Sequence, residues 1–557
     1  MRIARRHTAL LVAGLLLTSG QPATAQMAPS PDVSSLVRAI VRARVHTPQR
    51  WARLDDVAAR LDTLYESARW APRWSRNGVA TPAARKLIAE LRLLEDRGLV
   101  PADYDAGRLH SLAEGREAMR PLSASEQADF DVTLSVAAFR VTRALSSGRI
   151  SATQAHAKLR LPATPYDAVG AVRSLVDATE PRAVLDAAEP PFLHYRLLKQ
   201  ALARYRALSR DASLLDFSVS RVLRAGDTDA ALPKMRRLLV ALGDMAAPVA
   251  TPVDSLRYDS VLVAGVRHFQ RRQGYTADGI LGPTTVARLR RPFPERIRQI
   301  ALSLERWRWL PPSFAEPPVI VNVPAFRLYA FASSSDRESD VLTMDVVVGD
   351  AFDSRTPVFS DQIEYAVFSP YWNVPPSISR QELLPKARRD PGYLARANYE
   401  VVSNAGTVLG TSASALSAVA GGRATIRQRP GGNNALGGVK FIFPNEFNVY
   451  LHDTPSQKAF DLARRDVSHG CIRLAEPAKL AQFLLRDQPT WDSARIDESM
   501  RRTSELRVNL SRPVPVYIMY LTATAREDGT MLFYDDIYGH DRTLIAQLDR
   551  GYPYSLR

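Results

Sequence analysis

The hydrophobic periodicity of this chain changes near residue 317, and no single layer architecture accommodates both halves. Before that point apolar residues recur at helical spacing. Thr81-Pro82 reads as an N-cap followed by a first-turn proline, after which Leu87, Ile88, Leu91 and Leu94 share one face. Similar stripes run through Leu134 to Leu145 and Leu197 to Leu208, so residues 35–215 are expected to form a helical scaffold with Trp70 and Trp74 in core or interface positions. A second unit, residues 216–292, pairs a helix carrying Met235, Leu238 and Leu239 with a helix over Val261 to Arg272, its Val266 and Phe269 inward. A Gly-rich turn follows, and Thr284 is expected to cap a last short helix. From about 317 the runs become short and β-rich: Val319 to Val323, Arg327 to Phe331, Met344 to Val348, Glu364 to Phe368, Val449 to His452 and Val516 to Leu521. An irregular, Ala- and Ser-rich stretch at about 378–428 interrupts them, as an inserted capping subdomain would. The predicted class is therefore multidomain α+β, with a β-rich third domain over 317–545.

Residues 1–25 have the make-up of a secretory signal. Arg2, Arg5 and Arg6 precede an apolar run from Ala9 to Leu17, and Ala23-Thr24-Ala25 supplies the cleavage pattern. An uncleaved anchor is the alternative, but the run is far short of the ~20 residues that span a bilayer. Export is expected, with no later transmembrane helix. The formal charge of +16 favours acidic extracytoplasmic surfaces such as wall polymers, and the dispersed arginines of an exported chain argue against nucleic acid.

There is one cysteine, Cys471. In an exported chain it has no intramolecular disulfide partner, so it is either an inert buried residue or a working thiol. Its context favours work. His452 ends a predicted strand, and His469 sits in Ser468-His469-Gly470-Cys471-Ile472-Arg473. A thiol needs a base or a positive field to become a nucleophile at neutral pH, and an imidazole supplies either. Gly470 lets the backbone approach closely, so N–H groups near Cys471 are candidates for an oxyanion site. Histidines, cysteine and aspartate also suggest zinc, but the spacing fits no zinc motif, and neither metal nor cofactor is expected.

His452, fifteen residues, then Ser468-His469-Gly470-Cys471-Ile472-Arg473 resembles the signature of the L,D-transpeptidases, whose catalytic domain is of YkuD type. Phe368 to Pro375, Gly432 to Gly437 and Tyr450 to Pro455 agree with it. The 216–292 unit resembles a peptidoglycan-binding module, and the whole is similar to the large periplasmic YcbB-like members. Many family members carry Asn where this chain has Arg473; arginine there resembles the YcbB-like subgroup. The resemblance implies Cys471 as nucleophile and His452 as general base, oriented by the carbonyl of Asp453. It places backbone N–H groups of His469, Gly470 and Cys471 at the oxyanion site. Ser468 and Arg473 would shape the pocket, Arg473 meeting a substrate carboxylate, with Asn433, Asn434, Tyr371 and Trp372 as further substrate contacts or loop supports. It implies peptidoglycan stem peptides and glycan as partners, with cell-wall synthases as possible associates, and 3→3 cross-linking through a cysteine thioester. An L,D-carboxypeptidase, a lipoprotein-to-peptidoglycan ligase and a non-catalytic wall-binding scaffold are the rival readings.

Overall fold

Each run after 317 has an apolar side that must leave water, and the runs satisfy this by joining edge to edge. The computed structural model describes residues 32–114, 120–161, 166–247, 255–314, 316–333, 337–351 and 354–552. The expected signal segment lies outside these. Strands β1 (Val319–Asn322), β2 (Arg327–Ala330), β3 (Leu342–Gly349), β4 (Phe359–Phe368), β5 (Val439–Ile442), β6 (Leu451–His452), β7 (Asp466–Ser468), β8 (Ile472–Leu474) and β9 (Leu506–Met519) form one sheet. Their order is β7-β3-β8-β6-β5-β4-β9-β1-β2, and β2 pairs back onto β3, so eight of the strands close into a ring with β7 attached to β3. Closure removes the exposed edges that such short strands would otherwise present. Val321, Leu328, Val346, Phe441, Leu451 and Ile472 are buried in its core.

Strand lengths depart from the sequence expectation. The run at Glu364 extends back to Phe359, and that at Val516 is the end of a 14-residue strand, because β4 and β9 support each other along their length. The run before His452 shrinks to two residues.

The insertion between β4 and β5 begins at Trp372, earlier than expected. Trp372–Asn373 pairs with Ala424–Gln428, which pairs in turn with Tyr399–Ser403, and Val408–Gly410 completes a four-stranded sheet. This cap has a core of its own, built on Val374, Leu384, Leu394, Val401, Leu416 and Ile426.

Upstream, Thr81 accepts from the Ala84 N–H and Pro82 occupies the first turn, as expected. The helix Ala124–Ser147 opens with a Ser123/Glu126 capping box and is buried on most sides. The helix Leu193–Leu208 packs against the helix Phe293–Trp307 and the strand Ala523–Ala525, and it also meets the short helix Leu94–Arg97, where Arg206 pairs with Glu95 and Asp96. In the middle unit the helices are Leu232–Leu242, Ser260–Arg272 and Pro283–Leu289, and Gly282 rather than Thr284 is the last N-cap. Pro283 requires no N–H partner at the first position, which leaves the cap to the residue before it. Tyr552 returns to the N-terminal core, under the Arg140 guanidinium.

Candidate active site

Strands β6 and β8 run parallel, with Leu451 opposite Ile472 and His452 opposite Arg473. The pleat sends Leu451 and Ile472, both fully buried, to the core side. It sends Tyr450 and His452, with Cys471 and Arg473 beside them, to the other side. Lys440, opposite His452 across the antiparallel β5–β6 pair, joins them. The Ile472 N–H donates to the Tyr450 carbonyl at 3.1 Å and fixes the register at the cysteine.

The His452 ring is 4% exposed and packs edge-on to Tyr450, with centroids 5.6 Å apart. Its Nδ1 lies 2.5 Å from the Asp453 carbonyl oxygen. A carbonyl only accepts, so Nδ1 carries the hydrogen and Nε2 a lone pair. Burial pulls the imidazole pKa down to about 3, Arg473 and Lys440 push the same way, and the Asp453 carbonyl opposes them. Cys471 is half-buried, and its Sγ donates to the Asn448 carbonyl at 3.6 Å. Burial raises the thiol above its ordinary value, while Tyr450 and Arg473 pull it back. The resting pair is therefore a thiol and a neutral imidazole. An imidazole in this state can accept a proton but supplies no positive field.

Ser468 Oγ donates to the Cys471 carbonyl at 2.6 Å and accepts the Gly470 N–H at 3.2 Å. The turn needs glycine, because Gly470 has φ +109. The Gly470 N–H, expected at the oxyanion site, donates to Ser468 Oγ. The remaining donors on the turn are the N–H groups of His469 and Cys471, neither of which donates to a described residue. The His469 ring faces the cap, its Nε2 3.0 Å from Glu382 Oε1.

Arg473 is half-buried and has no carboxylate within ion-pair distance among the described residues. Asn433 is exposed. Asn434 is not: its amide donates to the carbonyls of Pro370 and Arg429, each at 3.0 Å, and its Oδ1 accepts the Leu436 N–H. It braces the loop returning from the cap and has no donor left for a substrate. Asn434→Ala would leave the Pro370 carbonyl and the Leu436 N–H without this partner, at a cost of about 1–3 kcal/mol; chemical denaturation should show that loss. Trp372 is likewise structural, packing on Tyr399 within the cap sheet. Tyr371 lies under the Arg427 guanidinium, 4.4 Å from centroid, and its N–H donates to Glu505. Sequence reasoning assigned no role to Tyr450 or Lys440. Tyr450 was legible, being two residues before His452 on a strand; Lys440 was not, since only sheet pairing brings it near.

Among the described residues there is no cluster of histidine, cysteine and acidic side chains able to hold a metal, and no helix long and apolar enough to cross a membrane. Residues 317–516 match the family model described as "L,D-transpeptidase catalytic domain", named YkuD, and these residues hold the cap and all of the ring except the last three residues of β9. The chain carries a YkuD-type L,D-transpeptidase catalytic domain. With it come a "Scaffold domain" match over 59–202 and a "Putative peptidoglycan binding domain" match over 228–289. A curated protein of Haemophilus influenzae, named "Putative L,D-transpeptidase", is 28% identical over 247 residues. That stretch is 44% of this chain and 49% of the relative, so the chain spans about half the length of the relative it matches. The L,D-transpeptidase domain is thus one part of a multidomain α+β chain that also carries a peptidoglycan-binding unit.

Proposed function

We propose that the protein is an exported peptidoglycan L,D-transpeptidase forming 3→3 cross-links through a thioester on Cys471. The observation that carries this reading is the placing of Cys471 and His452 on one side of adjacent parallel strands, the imidazole buried, neutral and oriented by the Asp453 carbonyl. His452 Nε2 takes the thiol proton as sulfur attacks the carbonyl of the third residue, a diamino acid, in a donor tetrapeptide. The N–H groups of His469 and Cys471 stabilise the oxyanion. Collapse breaks the peptide bond and returns the proton to the departing D-alanine amine, leaving the thioester. The side-chain amine of a second stem then attacks, gives up its proton to His452, and expels the sulfur. Arg473, half-buried beside the nucleophile with no carboxylate within ion-pair distance among the described residues, meets the terminal carboxylate of the donor. Tyr450, next to the sulfur, donates its hydroxyl to the charge developing there. The cap excludes water that would otherwise take the acyl group. Action on the wall implies a periplasmic location, and cell-wall synthases are the associates it would meet there.

Purified protein incubated with disaccharide-tetrapeptide fragments should show an intact-mass gain equal to the donor minus alanine, followed by a dimer linked between two third-position residues. Release of tripeptide alone, without dimer, would instead support the carboxypeptidase reading.

A further inference from the structure

We propose that Tyr538, in the segment following β9 and outside the matched catalytic range, is a positioning residue for the cysteine turn and acts through Thr356. Taking Cys471 as the reacting thiol, the inference rests on the reading above.

The contacts run without a gap. Tyr538 is 4% exposed, and its hydroxyl donates to the Gly349 carbonyl at the end of β3 at 2.6 Å. The same hydroxyl accepts the Thr356 N–H at 3.3 Å. Thr356 is fully buried; its Oγ1 accepts the Gly349 N–H and donates to the Gly470 carbonyl, both at 2.8 Å. Gly470 directly precedes the nucleophile. Its N–H is held by Ser468 and its carbonyl by Thr356, so both peptide groups of the residue are pinned. The neighbouring Asp350 N–H fixes the Ser468 carbonyl at 2.9 Å. Tyr538 is itself held from behind: its N–H donates to the Tyr520 hydroxyl at 2.8 Å, which donates to Asp536 at 2.8 Å, and Arg355 lies over its ring.

A glycine at φ +109 has wide conformational freedom, so the direction of the Cys471 N–H and side chain depends on what grips Gly470 from outside. Thr356 is that grip, and Tyr538 sets where Thr356 stands. A displacement near 1 Å at a reacting group costs on the order of 10²-fold in rate, which leaves room for a large effect from two hydroxyls that never touch substrate.

The test uses the full-length protein with Tyr538→Phe, Thr356→Val and Thr356→Ser. Donor acylation is followed by intact mass, and alkylation of Cys471 by iodoacetamide is followed across pH. Thr356→Val and Tyr538→Phe should slow acylation by about 10- to 100-fold with KM little changed; each leaves buried backbone groups unpaired, so a lower thermal midpoint is expected as well. Thr356→Ser, which keeps the hydroxyl, should stay within about threefold of wild type. Alkylation rates should fall in the same order. If Tyr538→Phe is poorly folded, the Val/Ser pair at 356 decides alone. Acylation and alkylation both near wild type in Thr356→Val would overturn the proposal, as would equal losses in the Val and Ser variants. A wild-type thiol that is alkylated but never acylated by tetrapeptide overturns the proposed function instead, and the alkylation order still decides this inference.

Discussion

Cys471→Ala should form no covalent adduct with a donor tetrapeptide and should yield no cross-linked dimer. The chain has a single cysteine, so no second thiol can take over. The loss should be on the order of 10⁴-fold or more, down to the limit of detection, as expected when the atom that forms the intermediate is removed. Folding should survive, because the side chain is half-buried and its sulfur makes only weak contacts, to the Asn448 carbonyl and to Tyr450. A thermal midpoint close to wild type must accompany the loss. Residual acylation in a well-folded variant would place the nucleophile elsewhere and remove the basis of the proposed function.

His452→Ala should slow acylation by about 10²-fold or more while leaving the thiol open to small alkylating reagents. The pH profile of the wild type separates this base from an ordinary one. Burial holds the imidazole pKa at about 3. The base is neutral above that value, so acylation should show no step near 6.5 and should fall only on strong acidification. An ordinary surface histidine would lose half its activity by about pH 6.5. The same shift has a consequence for stability. In the unfolded chain His452 takes a proton near 6.5, but in the fold only near 3, so the unfolded state binds more protons between those values. Stability from this group is therefore present above 6.5 and declines as pH falls below it. A sharp acylation step at 6.5 would show that the imidazole is solvated when it works. A His452→Ala variant acylating at wild-type rate would show that it is not the base.

The cap and the cysteine turn meet at His469 and Glu382. Neither partner is buried, and exposed pairs of this kind contribute little to stability.

How much of this was visible in one dimension follows from the range of the forces involved. Local spacing alone determined the helical character of the N-terminal half, the Thr81-Pro82 helix start and the β character after 317, since caps and periodicity act within a few residues. The candidacy of one cysteine and a histidine nineteen residues upstream was also raised by the sequence, because strand, glycine turn and thiol chemistry are short-range signals. Closure of eight strands into a ring was not readable, because the β2–β3 and β9–β1 pairings depend on register between segments, which one-residue slips leave identical in composition. Nor were the neutrality of His452, the turning of the Gly470 N–H into Ser468, and the reach of Tyr538 to Gly349. Residue types were set by the chain, but desolvation and hydrogen-bond direction exist only once distant segments have excluded water from the same place.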